Sequence, residues 1–394
     1  MSYQFVRVTT NYKEYIEQFY SKNPDASIGT YQEQYNKLVE DSIESSSAHI
    51  KNFNKIGVPS VEIITNATIL QDAWKNENDI KTEINNEDLI IEQLKFYKPN
   101  IVWIDDLSLL NKSWKKRLFE NVPSIKLFVG HHCAPYNKDI IEKLKLFDFM
   151  FTCTPGLDKE FNDLGIKTIL LYHGFESSIL SKININNKLK EEGLLFTGSL
   201  ISGNGFHKAR IEAIEKILST GIKMNLYSNL ESNKKIILKK LFYHLIKGLN
   251  FFRLKKLIKS IPLLDRNSSF GITPISFYSN KLINSSNPPV FGLEMYQLLS
   301  ESKMCFNVHG DVAGNYAGNI RMFEATGSGT CLITDHKSNI AELFEPGKEI
   351  VTYKNIDECI KKVNWLVDNP KEMKRIGEAG QKRTLKDHTV EVRV

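Results

Sequence analysis

Short apolar runs recur through the first half of the chain, VEIITNA, NIVWIDD, IKLFVGH, DFMFTCT and IKTILLYHG, and each ends in polar residues. Amphipathic stretches such as SSAHIKNFNKIG and KEFNDLG lie between some of them. Nearly continuous apolar runs are what strands covered on both faces require, so the alternation predicts a parallel sheet flanked by helices. The pattern is lost over 174–193, GFESSILSKININNKLKEEG, and resumes with LLFTGSL, the helical HKARIEAIEKILSTG and the strand KMNLYSN. The expected fold is therefore α/β, with two doubly wound Rossmann-like domains, 1–175 and 176–394, facing each other across a cleft. In such sheets ligands bind beyond the C-terminal ends of the strands.

Composition narrows the class without naming it. A chain of 394 residues can bury two cores, and 41% hydrophobic with 25% charged residues is ordinary for a globular protein. A formal charge of +6 is mild, which favours local anion sites and argues against a nucleic-acid partner. The cysteines, Cys133, Cys153, Cys305, Cys331 and Cys359, are odd in number and form no C-x-x-C pair, so they are expected to be reduced, small hydrophobes of a cytoplasmic protein. The start, MSYQFVRVTTNYKEY, lacks the basic-then-apolar order of a secretory leader, and no run reaches the length of a membrane span.

Residues 309–335, HGDVAGNYAGNIRMFEATGSGTCLITD, carry the strongest chemical signal. A glycine-bearing loop that opens at His309 runs into a short helix. Backbone N–H groups and the positive dipole end at a helix N-terminus attract phosphate oxygens, and Gly314 and Gly318 allow the backbone to come close. Arg321 can add a planar, permanently charged fork to the same anion. Glu324, three residues on, lies on the same helix face, where a carboxylate can accept both hydroxyls of a ribose. The same two residues also fit a plainer role, Arg321 in an ion pair and Glu324 against the helix dipole.

From Pro288 to Tyr353 the chain reads PPVFGLEMYQLLSESKMCFNVHG, then NIRMFEATGSGTCLITD, then NIAELFEPGKEIVTY. This stretch, extended to His388, resembles the C-terminal half of the CgeB-like glycosyltransferases, which have the GT-B fold, with Asn319, Arg321, Phe323, Glu324, Gly327 and Gly329 in the signature positions. The resemblance implies nucleotide-sugar binding, with the ribose held by Glu324. Many retaining enzymes of this fold carry Glu-x7-Glu, but the position eight before Glu324 is Tyr316, so a retaining outcome is not implied. GT-B chains usually finish with a helix that crosses back to the first domain. None is visible in the ending HTVEVRV, so the chain is expected to be a module of a longer polypeptide.

In the first domain His131 and His132, just after IKLFV, are the candidate catalytic residues. A histidine at a strand's C-terminal end points into the cleft and can exchange a proton near neutral pH. Sugar-contacting histidines of GT-B enzymes stand at about this place, which HHCAP resembles. Asp105 and Asp106, after NIVWI, are alternative acids or caps of the next helix. Over 203–210, GNGFHKAR gives a Gly203-x-Gly205 start without the third glycine of a dinucleotide fingerprint, since Lys208 stands there. Gly198, Ser199, Lys208 and Arg210 are instead candidates for a phosphate-side loop. The sequence contains no Asp-x-Asp to hold a divalent ion under a diphosphate, so the expectation is a metal-independent reaction with no cofactor, in which Arg321 and helix dipoles neutralise the leaving group.

Residues 230–266 carry ten Lys or Arg against two acids, with apolar residues at near-helical spacing. They predict a helical pair with one apolar and one basic face, suited either to packing on the second domain or to peripheral contact with the inner face of a membrane. The combined expectation is a glycosyltransferase that moves a sugar from a nucleotide diphosphate donor, UDP-sugar favoured, to an acceptor hydroxyl on a glycan or lipid-linked glycan during surface-glycan assembly. A sugar-nucleotide epimerase of the same fold, or a non-catalytic nucleotide- or glycan-binding module of a larger protein, are the alternatives.

Overall fold

The computed structural model describes residues 5–41, 45–80, 83–184, 191–202, 207–266, 268 and 274–394. Two six-stranded, all-parallel sheets are built. The first holds β1 (Phe5–Thr9), β2 (Ser60–Ile64), β3 (Ile101–Ile104), β4 (Leu127–His131), β5 (Phe149–Thr152) and β6 (Thr168–Leu170), in the order β2-β1-β3-β4-β5-β6. The second holds β7 (Glu191–Thr197), β8 (Met224–Tyr227), β9 (Ser286–Asn287), β10 (Ser302–Asn307), β11 (Cys331–Asp335) and β12 (Val351–Tyr353), in the order β12-β11-β10-β7-β8-β9. The two-domain α/β architecture is the one the apolar runs predict.

Both sheets reverse strand order once, between β1 and β3 and between β7 and β10. Connections leave opposite faces at such a point, which opens a crevice beyond the strand ends. Each sheet is buried by helices on both sides, so a strand such as β1 is inaccessible at all five of its positions. That strand is absent from the sequence reading, where FVRVT was weighed only as part of a leader. Its inclusion makes the first sheet six-stranded.

The sheets meet through small-residue contacts. A Cβ at Gly318, ahead of the helix Ile320–Gly327, would run into the carbonyl oxygen of Cys153, and one at Gly156 would run into the ring of Tyr316. The expectation that Gly318 serves phosphate approach therefore needs revising, because its missing side chain lets the second domain seat on the end of β5.

The chain's ending also differs from expectation. After the helix Pro370–Asp387, Thr389 caps the short helix Val390–Arg393, which packs on the first-domain helix Ser45–Lys55. Val390 N–H donates to Phe175 O at 3.0 Å, Phe175 N–H to His388 O at 2.9 Å, and Lys55 pairs with Glu391 at 2.6 Å. A returning helix is present. It was invisible in HTVEVRV because four residues are too few for a periodic pattern.

The helical pair expected over 230–266 is three helices, Asn233–Phe251, Lys255–Ser260 and Pro262–Arg266. Arg253 sits at φ 59°, a left-handed residue that ends the first of them. Among the described residues no helix is long and apolar enough to cross a membrane.

Candidate active site

At the switch point of the second sheet, Arg210 spans the loops that leave the two diverging strands. Its guanidinium donates to Ser199 O after β7 and to Val308 O after β10, each at 3.0 Å. Thus Ser199, Arg210 and the His309 loop, three separate sequence candidates, are brought together with Gly198 just before Ser199. Lys208 is not part of this group, since it faces solvent with Glu212 3.7 Å away. Gly203 and Gly205 lie outside the described residues.

His309 is buried and held from both ring nitrogens, Nδ1 at 2.7 Å from Asp335 Oδ1 and Nε2 at 3.2 Å from Met322 Sδ. Burial alone raises the Asp335 carboxyl, but the hydrogen bonds and charge of His309, with Lys337 3.2 Å away, outweigh it and bring the group down to about 2. His309 therefore braces the loop rather than presenting its ring to a ligand. Lys337, which sequence reasoning passed over, also donates to Gly314 O at 2.6 Å and so brings a cation to the glycine loop. Gly314 has φ 54°, and a Cβ there would meet no described atom within 4 Å, which marks open space beside the turn.

The helix Ile320–Gly327 follows. Its N-cap, Asn319, gives no side-chain cap and instead exchanges amide hydrogen bonds with Asn307, at 2.7 and 3.3 Å. The helix dipole is thus left without the usual oxygen at its positive end. One turn in, Glu324 is 4% exposed. Its Oε1 accepts from the Tyr296 hydroxyl at 3.1 Å, and its Oε2 lies 2.8 Å from Arg321 Nη1. That last pair is close but poorly aimed, and both Glu324 Oε2 and Arg321 Nε are buried without a hydrogen-bond partner among the described residues. The plainer sequence reading, an ion pair, is the geometry seen. It is incomplete, and it is buried rather than at the surface.

Across the cleft, the first-domain candidates sit in a cluster of rings. His131 closes β4, with Nε2 3.4 Å from Cys133 Sγ and its ring 5.9 Å from that of His173, just past β6. Burial, helped by the Arg7 charge, pushes His131 down to about 4. His173 goes to about 3, again through burial first and then the neighbouring cations Arg7 and Arg393 and the histidines His131 and His49. Both are neutral at physiological pH, able to hydrogen-bond but weak as bases. His132 is lowered too, chiefly by burial, and its Nε2 has no partner among the described residues.

Asp105 is committed elsewhere. Arg7 Nε donates to it at 2.7 Å and Trp103 Nε1 at 2.6 Å, while the Arg7 guanidinium stacks 4.3 Å from the Trp103 ring. Burial raises this carboxyl, yet the Arg7 charge and the hydrogen bonds from Arg7 and Trp103 help to offset that and hold it below its ordinary range. Asp106 accepts from Ser108 N and Oγ in a local turn, whereas the following helix is capped by Asn111, so neither acid caps that helix. His173 was missed although the reasoning that selected His131, a histidine just past a strand's C-terminal end, selects it equally.

One expectation is overturned outright. Cys133 and Cys153 are joined as a disulfide across 20 residues of sequence, whereas Cys305, Cys331 and Cys359 are free and buried as expected. Because β4 and β5 are neighbours in the sheet, residues just past their ends converge whatever their spacing along the chain.

A cavity of about 560 Å³ also opens between the first domain and the segment that follows it, lined by Tyr31, Tyr35, Lys51, Glu62 and Glu176 among others. It lies beneath β2, away from both groups of strand-end residues, and has no counterpart in the sequence signals.

Residues 256–394 match the family described as glycosyl transferase-like. No curated protein matches the chain. In overall structure the chain is similar to Anabaena Alr3699/HepE solved with UDP-glucose, at 10% identity and a TM-score of 0.55, covering 98% of this chain and 96% of that one. It is also similar to sucrose-phosphate synthase from Thermosynechococcus elongatus, at 8% identity and a TM-score of 0.51, covering 99% and 96%. Fold and family match together define the class, a glycosyltransferase of the GT-B architecture.

Proposed function

We propose that the protein transfers a sugar from a UDP-sugar to an acceptor hydroxyl, without a divalent metal, during the building of a surface glycan. The observation that carries this reading is the incomplete pair in the helix Ile320–Gly327, where Glu324 Oε2 and Arg321 Nε are buried without a hydrogen-bond partner among the described residues. Leaving such atoms unmet costs about 1–3 kcal/mol each, so they call for a ligand that supplies hydroxyls to one and an anion to the other. A ribose 5′-diphosphate does both. The uncapped helix end, the open side of Gly314 and Lys337 supply further positive potential for the diphosphate. UDP is favoured because Alr3699/HepE was solved with UDP-glucose and shares the fold. The likeness of Pro288–His388 to the CgeB-like group points the same way. Metal independence rests on the missing Asp-x-Asp, and His131 and His132 would face the sugar or acceptor from the other domain.

The acceptor is proposed to be lipid-linked, reached through the helices of 233–266. One stripe of the first of these helices, Ile236, Lys239, Tyr243 and Ile246, is buried, and Lys239 is neutralised by Glu231 at 2.6 Å. Packing on the domain would account for that stripe alone. Ile237, Leu238, Leu241 and Leu245 are exposed on the same helix, and Phe251 and Phe252 follow at 81% and 70% exposure among solvated lysines. Apolar and basic groups so mixed fit an anionic lipid surface. The protein should sediment with vesicles containing anionic lipid, release as salt rises, and stay in solution when Lys234, Lys247, Lys255 and Lys256 become glutamate.

The donor reading is tested by thermal shift with UDP, GDP, CMP, ADP and dTDP. Ligand at 100 times its Kd stabilises by roughly 2.7 kcal/mol. A UDP shift followed by acceptor-dependent UDP release from a UDP-sugar supports transfer. Turnover without acceptor would indicate an epimerase, and binding without any turnover a recognition module.

A further inference from the structure

Cys133 Sγ, Cys153 Sγ and a ring nitrogen of His173 all lie within 4.8 Å of one another. They come from the C-terminal ends of three adjacent strands, Cys133 two residues past β4, Cys153 one past β5 and His173 three past β6. His131, the last residue of β4, adds a fourth donor, its Nε2 being 3.4 Å from Cys133 Sγ. Two sulfurs and one imidazole converging from three strands, with the His131 imidazole beside one of the sulfurs, form a donor set suited to a borderline-soft transition metal, whose tetrahedral centres bind thiolate at about 2.3 Å and imidazole at about 2.0–2.1 Å.

We propose that this cluster has two exclusive chemical states, the disulfide seen here and, after reduction by a dithiol, a zinc-class site formed by Cys133, Cys153, His173 and His131. The reductant gives two electrons and two protons to the Cys133–Cys153 bond and leaves as its own disulfide. The two new thiols then surrender their protons as a divalent ion binds. The sulfurs, no longer bonded, separate to the roughly 3.8 Å edge that those metal–sulfur lengths set.

The surroundings favour such a centre. The donors are gathered at the ends of neighbouring strands, so no rearrangement of the sheet is needed to bring them around one ion. Two thiolates cancel the charge of a dication, so the assembled centre adds none. Arg7 is itself neutralised by Asp105, 2.7 Å away. The site also lies at the joint between domains, since the backbone of Cys153 packs against Gly318. Either state therefore ties β4 to β5 at that joint. The inference does not depend on the donor reading, because none of the four ligands belongs to the helix Ile320–Gly327.

The test uses the full chain, reduced with a non-chelating phosphine, desalted without oxygen and titrated with Co²⁺ alone. Thiol titration of the denatured protein should rise from three to five, matching the free and total cysteines. One equivalent of Co²⁺ should then give the thiolate charge-transfer absorption and strong visible bands of a tetrahedral centre, both removed by Zn²⁺. The unreduced chain should give neither. Cys133→Ser and Cys153→Ser should each abolish the charge-transfer bands. His173→Ala should weaken binding by at least about tenfold, since even an outer-shell partner is usually worth that much. The proposal is overturned if the reduced chain unfolds, if five thiols titrate but no charge-transfer band appears, or if the bands survive both cysteine substitutions.

Discussion

The strand ends of the two sheets are built alike in topology and oppositely in charge. Beyond β4 and β6, His131 and His173 are buried beside cations and forced toward neutrality, to about 4 and about 3. At the end of β11, Asp335 is buried against His309 and Lys337 and is kept ionised, down to about 2. Burial penalises charge in both places. What differs is the balance, since at His131 burial and the Arg7 charge outweigh the nearby Asp105, whereas at Asp335 the partners outweigh burial. The result is a group of neutral rings in one domain and a group of paired charges in the other, and on the proposed reading the charged group takes the diphosphate while the neutral one takes the sugar.

The most severe way to break this contrast is Glu324→Ala. It leaves Arg321 and the Tyr296 hydroxyl buried without their carboxylate, which costs about 3–5 kcal/mol and should appear as a lowered Tm in calorimetry. An unchanged Tm would mean that Arg321 escapes to solvent and that the charged group is only apparent. Glu324→Gln keeps the shape and an acceptor for Tyr296. It should hold the fold while weakening UDP binding by about 1.5–3 kcal/mol, roughly tenfold to hundredfold. Equal affinity by titration calorimetry would remove Glu324 from the nucleotide site.

In the neutral group a smaller effect is expected. Burial lowers both histidines, His131 to about 4, and makes them poor bases, so His131→Ala or His132→Ala should cost one neutral hydrogen bond, about 0.5–1.5 kcal/mol or roughly two- to tenfold in turnover. UDP affinity should change less than turnover. A loss of several thousandfold would instead require a true proton transfer at that residue.

Acid separates the two groups by window. The histidines bind fewer protons folded than unfolded, so their contribution is fully present above 6.5 and is lost as pH falls toward 4 and 3. Asp335, lowered from 3.8 to about 2, contributes above 3.8 and loses its share only below that. Urea unfolding of the double variant His131→Gln, His173→Gln should therefore vary less between about pH 6.5 and pH 4 than the parent does, by an amount set by the shifts just given. An identical slope would mean that the rings titrate freely in the fold. Smallest of all, excess EDTA should leave transferase activity of the disulfide-containing chain unaltered. Loss on chelation, restored by Mn²⁺, would show metal ligands at the diphosphate that the sequence does not announce.

Much of the architecture was legible because parallel strands are apolar on both faces, which a sequence displays directly. The order of loop, helix and Glu324 in the second domain was legible for a similar reason, as it is contiguous. What stayed hidden depends on neighbours distant in sequence. Arg321 turns to Glu324 inside the domain because Met295 and Tyr296 from another helix enclose both. Cys133 finds Cys153, and His173 joins them, only because three strands lie side by side. Gly318 looked like a phosphate-loop glycine until the carbonyl of Cys153 was seen against it.

The return of the chain at Val390–Arg393 has a consequence for how the molecule comes into being. Lys55 meets Glu391 across 336 residues, so the helix Ser45–Lys55 waits for all of those residues to be made before this face is covered. Closing so long a loop costs little more than closing a short one, because each doubling in length adds only about 0.6 kcal/mol. Time is the larger cost, since at about 5–20 residues per second the first domain spends tens of seconds with that face open.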